Sequence, residues 1–152
     1  MKNLDARKTL GAYFSNVGMV YYQNQKPERA VFYLELSTTI NPKSIDAQNN
    51  LANIYSELKK PQKAIKHYNL ALKADFGNTS TLFNLGLIYQ ESGNTTPAIN
   101  AFLQVVQIDP GFSPAHQMLA NLYLQNNRLT SALLHLKSLA RSQPMNLQNH
   151  LN

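Results

Sequence analysis

A period of 34 residues runs through most of this chain and limits its fold more than any other feature. In each unit a large apolar residue is followed directly by Gly or Ala and, three positions later, by Tyr. The repeated tyrosines are Tyr21, Tyr55, Tyr89 and Tyr123, and an alanine recurs at the same step as Ala30, Ala64, Ala98 and Ala132. A unit this short cannot bury an apolar face alone, so the period predicts an array of stacked units.

Each unit is predicted to be a hairpin of two helices. Small residues such as Gly18 and Ala30 let the two helices approach closely, and larger residues three or four positions away fill the remaining space. Turn signals separate the helices, and Pro27 and Pro61 suit the first turn of the second helix, where a backbone N–H is not needed. First helices are predicted near 12–25, 45–58, 79–92 and 113–126, and second helices near 27–40, 61–74, 96–108 and 129–142.

The pattern resembles the tetratricopeptide-repeat family, in which Trp-x-x-Leu-Gly-x-x-Tyr is followed by Ala-x-x-x-Phe and then Pro. The resemblance covers residues 11 to 144, although the Trp position holds Phe14, Gln48, Leu82 and His116. The polar residues Gln48 and His116 predict looser packing in their two units. It implies an all-α, right-handed solenoid of four hairpins. The predicted segments are a lead-in at 1–10, repeats at 11–44, 45–78, 79–112 and 113–146, and a capping or truncated helix at 147–152.

The resemblance also implies a function and a site. Proteins of this family bind other proteins, and their first helices line a concave groove that holds a peptide segment. Carried over by register, the predicted groove residues are Asn16, Met19, Tyr22, Asn49, Asn50, Asn53, Glu57, Phe83, Asn84, Leu87, Glu91, Gln117, Asn121 and Leu124.

One feature of the groove is an asparagine at the same register in three units, Asn16, Asn50 and Asn84, with Met118 in the fourth. An amide side chain can pair with both the N–H and the C=O of an extended peptide. The arrangement looks like the asparagine ladder in the repeat region of O-linked N-acetylglucosamine transferase. Asparagine is abundant in this chain, however, so composition is an alternative explanation of the series.

The chain has a net charge of +6, but its cationic residues are not at the predicted groove positions. The predicted concave positions include Glu57 and Glu91 but no Lys or Arg, whereas cations cluster at 59–66 on a turn and second helix. The sequence therefore predicts a partner that is neutral or basic with apolar anchors, and not nucleic acid. Asn49, Pro114 and Met118 stand where co-chaperones of the family carry cations, which excludes recognition of a chaperone C-terminal carboxylate.

Catalytic and metal chemistry find no support in the motifs. The chain has no Cys, no glycine-rich phosphate loop and no nucleophile elbow, so we predict no enzyme activity and no cofactor. The histidines His67, His116, His135 and His150 lack metal-site spacing, and His116 is expected to be a partly buried packing residue. No apolar run is long enough to insert into a membrane, and a cytoplasmic location is predicted.

Two functions remain open at this level. The first is a module that captures a partner segment in the groove. The second is an assembler that self-associates through its terminal helices, as the repeat region of a longer enzyme or secretion component. The last predicted helix carries Leu129, Leu133 and Leu136 with little chain after them to cover them, which by itself favours neither function.

Overall fold

The computed structural model describes residues 2–142, and this part of the chain is helical with no strand. The eight helices are α1 (Lys2–Gln23), α2 (Pro27–Ile40), α3 (Ile45–Glu57), α4 (Pro61–Ala74), α5 (Thr79–Glu91), α6 (Thr95–Ile108), α7 (Ser113–Gln125) and α8 (Leu129–Ser142). The all-α solenoid of helical hairpins is confirmed. The predicted fifth segment, 147–152, and the end of the fourth repeat lie outside the described residues.

The first helix differs from the prediction, because it begins at Lys2 and not near residue 12. The predicted lead-in therefore forms the first part of α1. Residues 2–10 contain neither Pro nor Gly, so nothing in them breaks the helix. Gly11 is within α1 and faces the C-terminal end of α2. An added Cβ at Gly11 would be 2.9 Å from the Cβ of Asn41, so the glycine allows the two helices to approach here. Ser37 Oγ of α2 donates a hydrogen bond to the carbonyl of Gly11 at 2.7 Å.

The turns inside the hairpins have the same backbone conformation in all four units. One residue in each turn has a positive φ: 56° at Gln25, 57° at Lys59, 74° at Gly93 and 56° at Asn127. These positions are again 34 residues apart. The left-handed residue reverses the chain between the two helices, so that all four hairpins close with the same geometry.

The core is formed between the helices of each hairpin and between neighbouring hairpins. The recurring alanines Ala30, Ala64, Ala98 and Ala132 are all buried, which confirms their predicted packing role. Each second helix also packs against the next first helix, α2 against α3, α4 against α5 and α6 against α7. Tyr55 and Tyr123 are buried, and Tyr21 and Tyr89 pack at the edge of the core, so the tyrosine series is structural.

The sequence predicted loose packing around the two polar residues at the Trp position. In the structure both residues are buried and hydrogen-bonded, so this prediction is wrong. Gln48 is buried, donates from Nε2 to the carbonyl of Pro42 at 3.0 Å, and accepts from His67 Nδ1 at 2.8 Å. His116 is also buried and contacts both Pro110 and His135. A polar residue fits here because the second helix supplies a polar partner at the matching position.

Candidate peptide-binding groove

A recess of about 290 Å³ lies across the first helices of the first three units. Eight of the predicted groove residues line it, together with four that were not predicted as site residues. The predicted ones are Met19, Tyr22, Asn50, Asn53, Glu57, Asn84, Leu87 and Glu91. The structure thus brings together residues of α1, α3 and α5 that are as far as 72 positions apart in the sequence, from Met19 to Glu91.

Two tyrosine hydroxyls fix polar groups of the recess. The Tyr22 hydroxyl of α1 donates to Glu57 Oε2 at the end of α3. The Tyr68 hydroxyl of α4 donates to Asn53 Oδ1 in α3. These contacts hold Glu57 and Asn53 in defined positions, which reduces the conformational entropy that a ligand must remove on binding.

The charged side chains that line the recess are the carboxylates Glu57 and Glu91. Burial, followed by the charges of Glu91 and Glu57, raises the pKa of Tyr68 to about 12. The hydrogen bond to Glu57 raises the pKa of Tyr22 as well. Both carboxylates therefore act on the same floor residue, Tyr68, and none of the residues that line the recess is Lys or Arg. Cationic groups are favoured here over anionic ones.

The amides differ in how much hydrogen-bonding capacity they keep. Asn49 Nδ2 donates to Thr81 Oγ1 at 2.8 Å, so this predicted site residue is engaged inside the array. Asn84 Nδ2 makes a long contact of 3.5 Å to Asn53 Oδ1. Within residues 2–142 the Asn50 side chain has no hydrogen-bond partner, although it lines the recess. Asn50 and Asn84 are consequently the amides best placed to pair with a ligand.

The remaining predicted groove residues lie outside this recess. Phe83 is partly buried and packs against the core, with its ring centroid 5.4 Å from that of Phe102 and 5.3 Å from that of Phe112. Asn16 is exposed on α1. The fourth-unit residues Gln117, Asn121 and Leu124 are exposed on α7.

Sequence reasoning missed Ile54, Ser56, Tyr68 and Ile88 as groove-lining side chains. Ser56 stands at a concave register position and could have been included. Tyr68 was assigned to the core by the repeat pattern, and only the tertiary structure brings its hydroxyl to the recess floor. Lys59, predicted to lie away from the groove, borders a neighbouring depression together with Ser56 and Glu91, so one cation is close to the groove edge.

Among the described residues no group of three or more His, Asp or Glu side chains could hold a metal ion. Over the same part of the chain, no helix is both long and apolar enough to cross a membrane.

Three tetratricopeptide-repeat family models match the chain, at residues 12–44, 43–110 and 89–150. Together they span nearly the whole sequence, and the second and third matches overlap at residues 89–110. No curated protein sequence matches the chain.

Solved structures with this fold include several of MamA. One MamA crystal structure aligns with a TM-score of 0.84 at 22% identity, covering 97% of this chain and 86% of that chain. A MamA double mutant gives a TM-score of 0.80 at 17% identity, covering 92% of this chain and 78% of that one. PilF of Pseudomonas aeruginosa gives 0.75 at 25% identity, covering 91% of this chain and 64% of that chain.

Proposed function

Because the chain belongs to the tetratricopeptide-repeat family, we propose that it binds a partner protein segment in the groove formed by α1, α3 and α5. A general role as a protein-interaction scaffold follows from the family, whose members are typically non-enzymatic. The observation that carries the finer proposal is the recess, where amides, apolar side chains and two carboxylates converge.

The amides are suited to hold the backbone of the segment. Asn50 and Asn84 occupy the same register in adjacent first helices, so an extended peptide crossing α3 and α5 meets one amide on each helix. Each amide offers a donor and an acceptor, and these match the N–H and C=O of a peptide group without regard to its side chain. The backbone contacts supply affinity for an extended segment.

The apolar and acidic side chains supply selectivity. Met19, Leu87 and Ile88 provide an apolar surface at the recess wall, which suits one anchoring side chain of the ligand. Glu57 and Glu91 are exposed at its rim and favour Lys or Arg beside that anchor. The preferred ligand is therefore a neutral or basic segment with an apolar anchor, and not an acidic tail or nucleic acid.

A peptide selection tests the groove directly. We expect a phage-displayed library panned on the intact protein to yield sequences with an apolar residue near Lys or Arg. Asn50→Ala with Asn84→Ala should weaken binding of the best selected peptide roughly 30-fold, taking about 0.5 kcal/mol, the lower end of the range, for each of the four neutral hydrogen bonds lost. Isothermal titration calorimetry measures the affinity, and circular dichroism checks that the double variant is folded.

The matched control is Asn100→Ala, which removes an exposed amide of the second helix α6, away from the recess, and should leave affinity unchanged. If the folded Asn50/Asn84 variant binds the peptide as tightly as the parent, the asparagine series reflects composition and the proposed backbone contacts are wrong.

A second candidate function is self-association through α8. Four leucines of this helix have large exposed fractions: 66% for Leu129, 51% for Leu133, 64% for Leu134 and 41% for Leu136. The register equivalents of Leu136 in the other units, Leu34, Tyr68 and Phe102, are all buried. An apolar helix face of this kind favours contact with another apolar surface.

Light scattering after size-exclusion chromatography tests this second candidate. If α8 mediates self-association, the mass of the parent rises with concentration, and Leu134→Glu weakens association at least about tenfold, because a charge replaces a buried leucine. Phe32→Glu is the control, because Phe32 has the same register in α2 and is 62% exposed. A parent that stays monomeric, or equal effects of the two variants, would eliminate α8 as the contact.

A further inference from the structure

The fourth unit contains two buried histidines in direct contact. His116 of α7 and His135 of α8 face each other through their Nδ1 atoms, which are 3.0 Å apart. The other ring nitrogen of His116, Nε2, is 3.0 Å from the carbonyl oxygen of Pro110. Both rings are buried, and together they join the two helices of the hairpin to the segment that precedes it.

The proton positions follow from these contacts. A carbonyl oxygen only accepts hydrogen bonds, so His116 Nε2 carries a hydrogen and donates it to Pro110. In neutral His116 the Nδ1 atom then has a free lone pair, and His135 Nδ1 must donate to it. One added proton is compatible with the contact, because an imidazolium Nδ1–H can donate to a neutral partner. Two added protons place a hydrogen on both facing Nδ1 atoms and break the bond.

The second unit provides an internal reference for this geometry. Gln48 occupies the register of His116, and its Nε2 donates to the carbonyl of Pro42 as His116 Nε2 donates to that of Pro110. Its Oε1 accepts from His67 Nδ1 at 2.8 Å. An amide oxygen accepts this bond whether His67 is neutral or charged, so the second unit does not have the conflict that the histidine pair creates.

Few other ionisable groups surround the pair. The Tyr123 ring of α7 stacks on His135, with centroids 5.7 Å apart and an interplanar angle of 8°. Burial, and then the charge of His116, lowers the pKa of His135. His67 differs, since burial, Lys66 and Lys63 lower its pKa while Glu35 opposes them. No carboxylate contributes to the shift at His135, so no opposite charge offsets the cost of charging this ring.

We propose that the His116–His135 pair is an acid-sensitive latch that holds α7 against α8 and lets the fourth unit open before the other three as the pH falls. The sign follows from proton linkage. The unfolded chain takes up two protons at this pair near pH 6.5, the folded hairpin accepts at most one, and acid therefore favours opening. The stabilisation is complete above about pH 6.5 and is lost below it. In a repeat array one unit can open locally while its neighbours stay folded.

The test compares the parent with His116→Gln, which reproduces the contacts of the second unit. Between about pH 7.5 and 5.0 we expect the melting temperature of the parent to fall roughly 3 °C more than that of the variant, the size expected from one lost hydrogen bond. Hydrogen exchange, corrected for intrinsic rates, should show increased opening at acidic pH in α7 and α8 of the parent only.

The reciprocal variant, Gln48→His, keeps the proposal testable even if His116→Gln folds poorly. It introduces a facing histidine pair with His67, and acid-induced exchange should then appear in α3 and α4. Equal pH dependence of the parent and His116→Gln, or no new acid sensitivity in a folded Gln48→His variant, overturns the proposal.

Discussion

Gly86→Leu is expected to destabilise the third unit by about 3 kcal/mol or more, the upper part of the range for overpacking a core. Gly86 of α5 lies against the fully buried Phe102 of α6. Even a Cβ atom at this position would be 2.5 Å from Phe102 Cε1 and 2.8 Å from Cδ1, so either the ring or the helix must move. Chemical denaturation followed by circular dichroism measures the loss of stability.

Gly77→Leu is the matched control for this variant. Gly77 lies in a connection between helices, where the nearest atom to an added Cβ is Asp75 Oδ1 at 3.6 Å, an ordinary contact distance. Its effect on stability should be within about 0.5 kcal/mol. Ala98→Leu, at a buried position of α6, should resemble Gly86→Leu. If Ala98→Leu unfolds no more readily than the parent, the assigned packing of the third hairpin is wrong.

Glu57→Lys combined with Glu91→Lys is expected to reduce affinity for a selected basic peptide by about 3 kcal/mol, on the order of a hundredfold. The two glutamates border the recess, and the variant replaces attraction of a cationic ligand with repulsion. Titration calorimetry at several salt concentrations measures the effect. The difference between parent and variant should shrink as salt rises, since exposed charges are screened beyond about 10 Å near 0.1 M.

Two controls separate local charge from shape and net charge. Glu57→Gln with Glu91→Gln keeps the side-chain shape and an acceptor for the Tyr22 hydroxyl, so it should lose less affinity than the lysine variant. Lys66→Glu reverses an exposed charge on α4 that does not line the recess, and specific binding should barely change. If binding instead required Lys66 and did not require the two glutamates, the ligand site would be the cationic cluster at 59–66 and not the recess.

The groove could be predicted from the sequence only at the level of register. Repeat spacing places Asn50 and Asn84 at equivalent positions of neighbouring helices, and both line the recess. Register does not report how side chains use their hydrogen bonds, however. Asn49 was predicted on the same basis but bonds to Thr81 of α5, and Phe83 packs against Phe102. Such pairings depend on distances between helices, which a one-dimensional pattern does not contain.

The contact between His116 and His135 was also not predicted, although the repeat register contained a signal for it. His116 and His135 are 68 residues beyond Gln48 and His67, so the two pairs share one register. When each histidine was considered alone, His116 was predicted to be a packing residue, but its contact with His135 was not predicted. A comparison of the pairs would have suggested the contact, because a side chain that fills the Trp position points at the second helix of its own hairpin.

The sequence by itself determined the number and kind of helical units, the position of nearly every turn and the alternation of first and second helices. It could do so because close helix packing requires small residues at set positions, and this requirement recurs at every hairpin. Only the tertiary structure decided that α1 begins at Lys2, that Tyr68 reaches the recess, and which amides remain free. These features depend on side chains from different units that meet in space, where contact distance and burial determine the outcome.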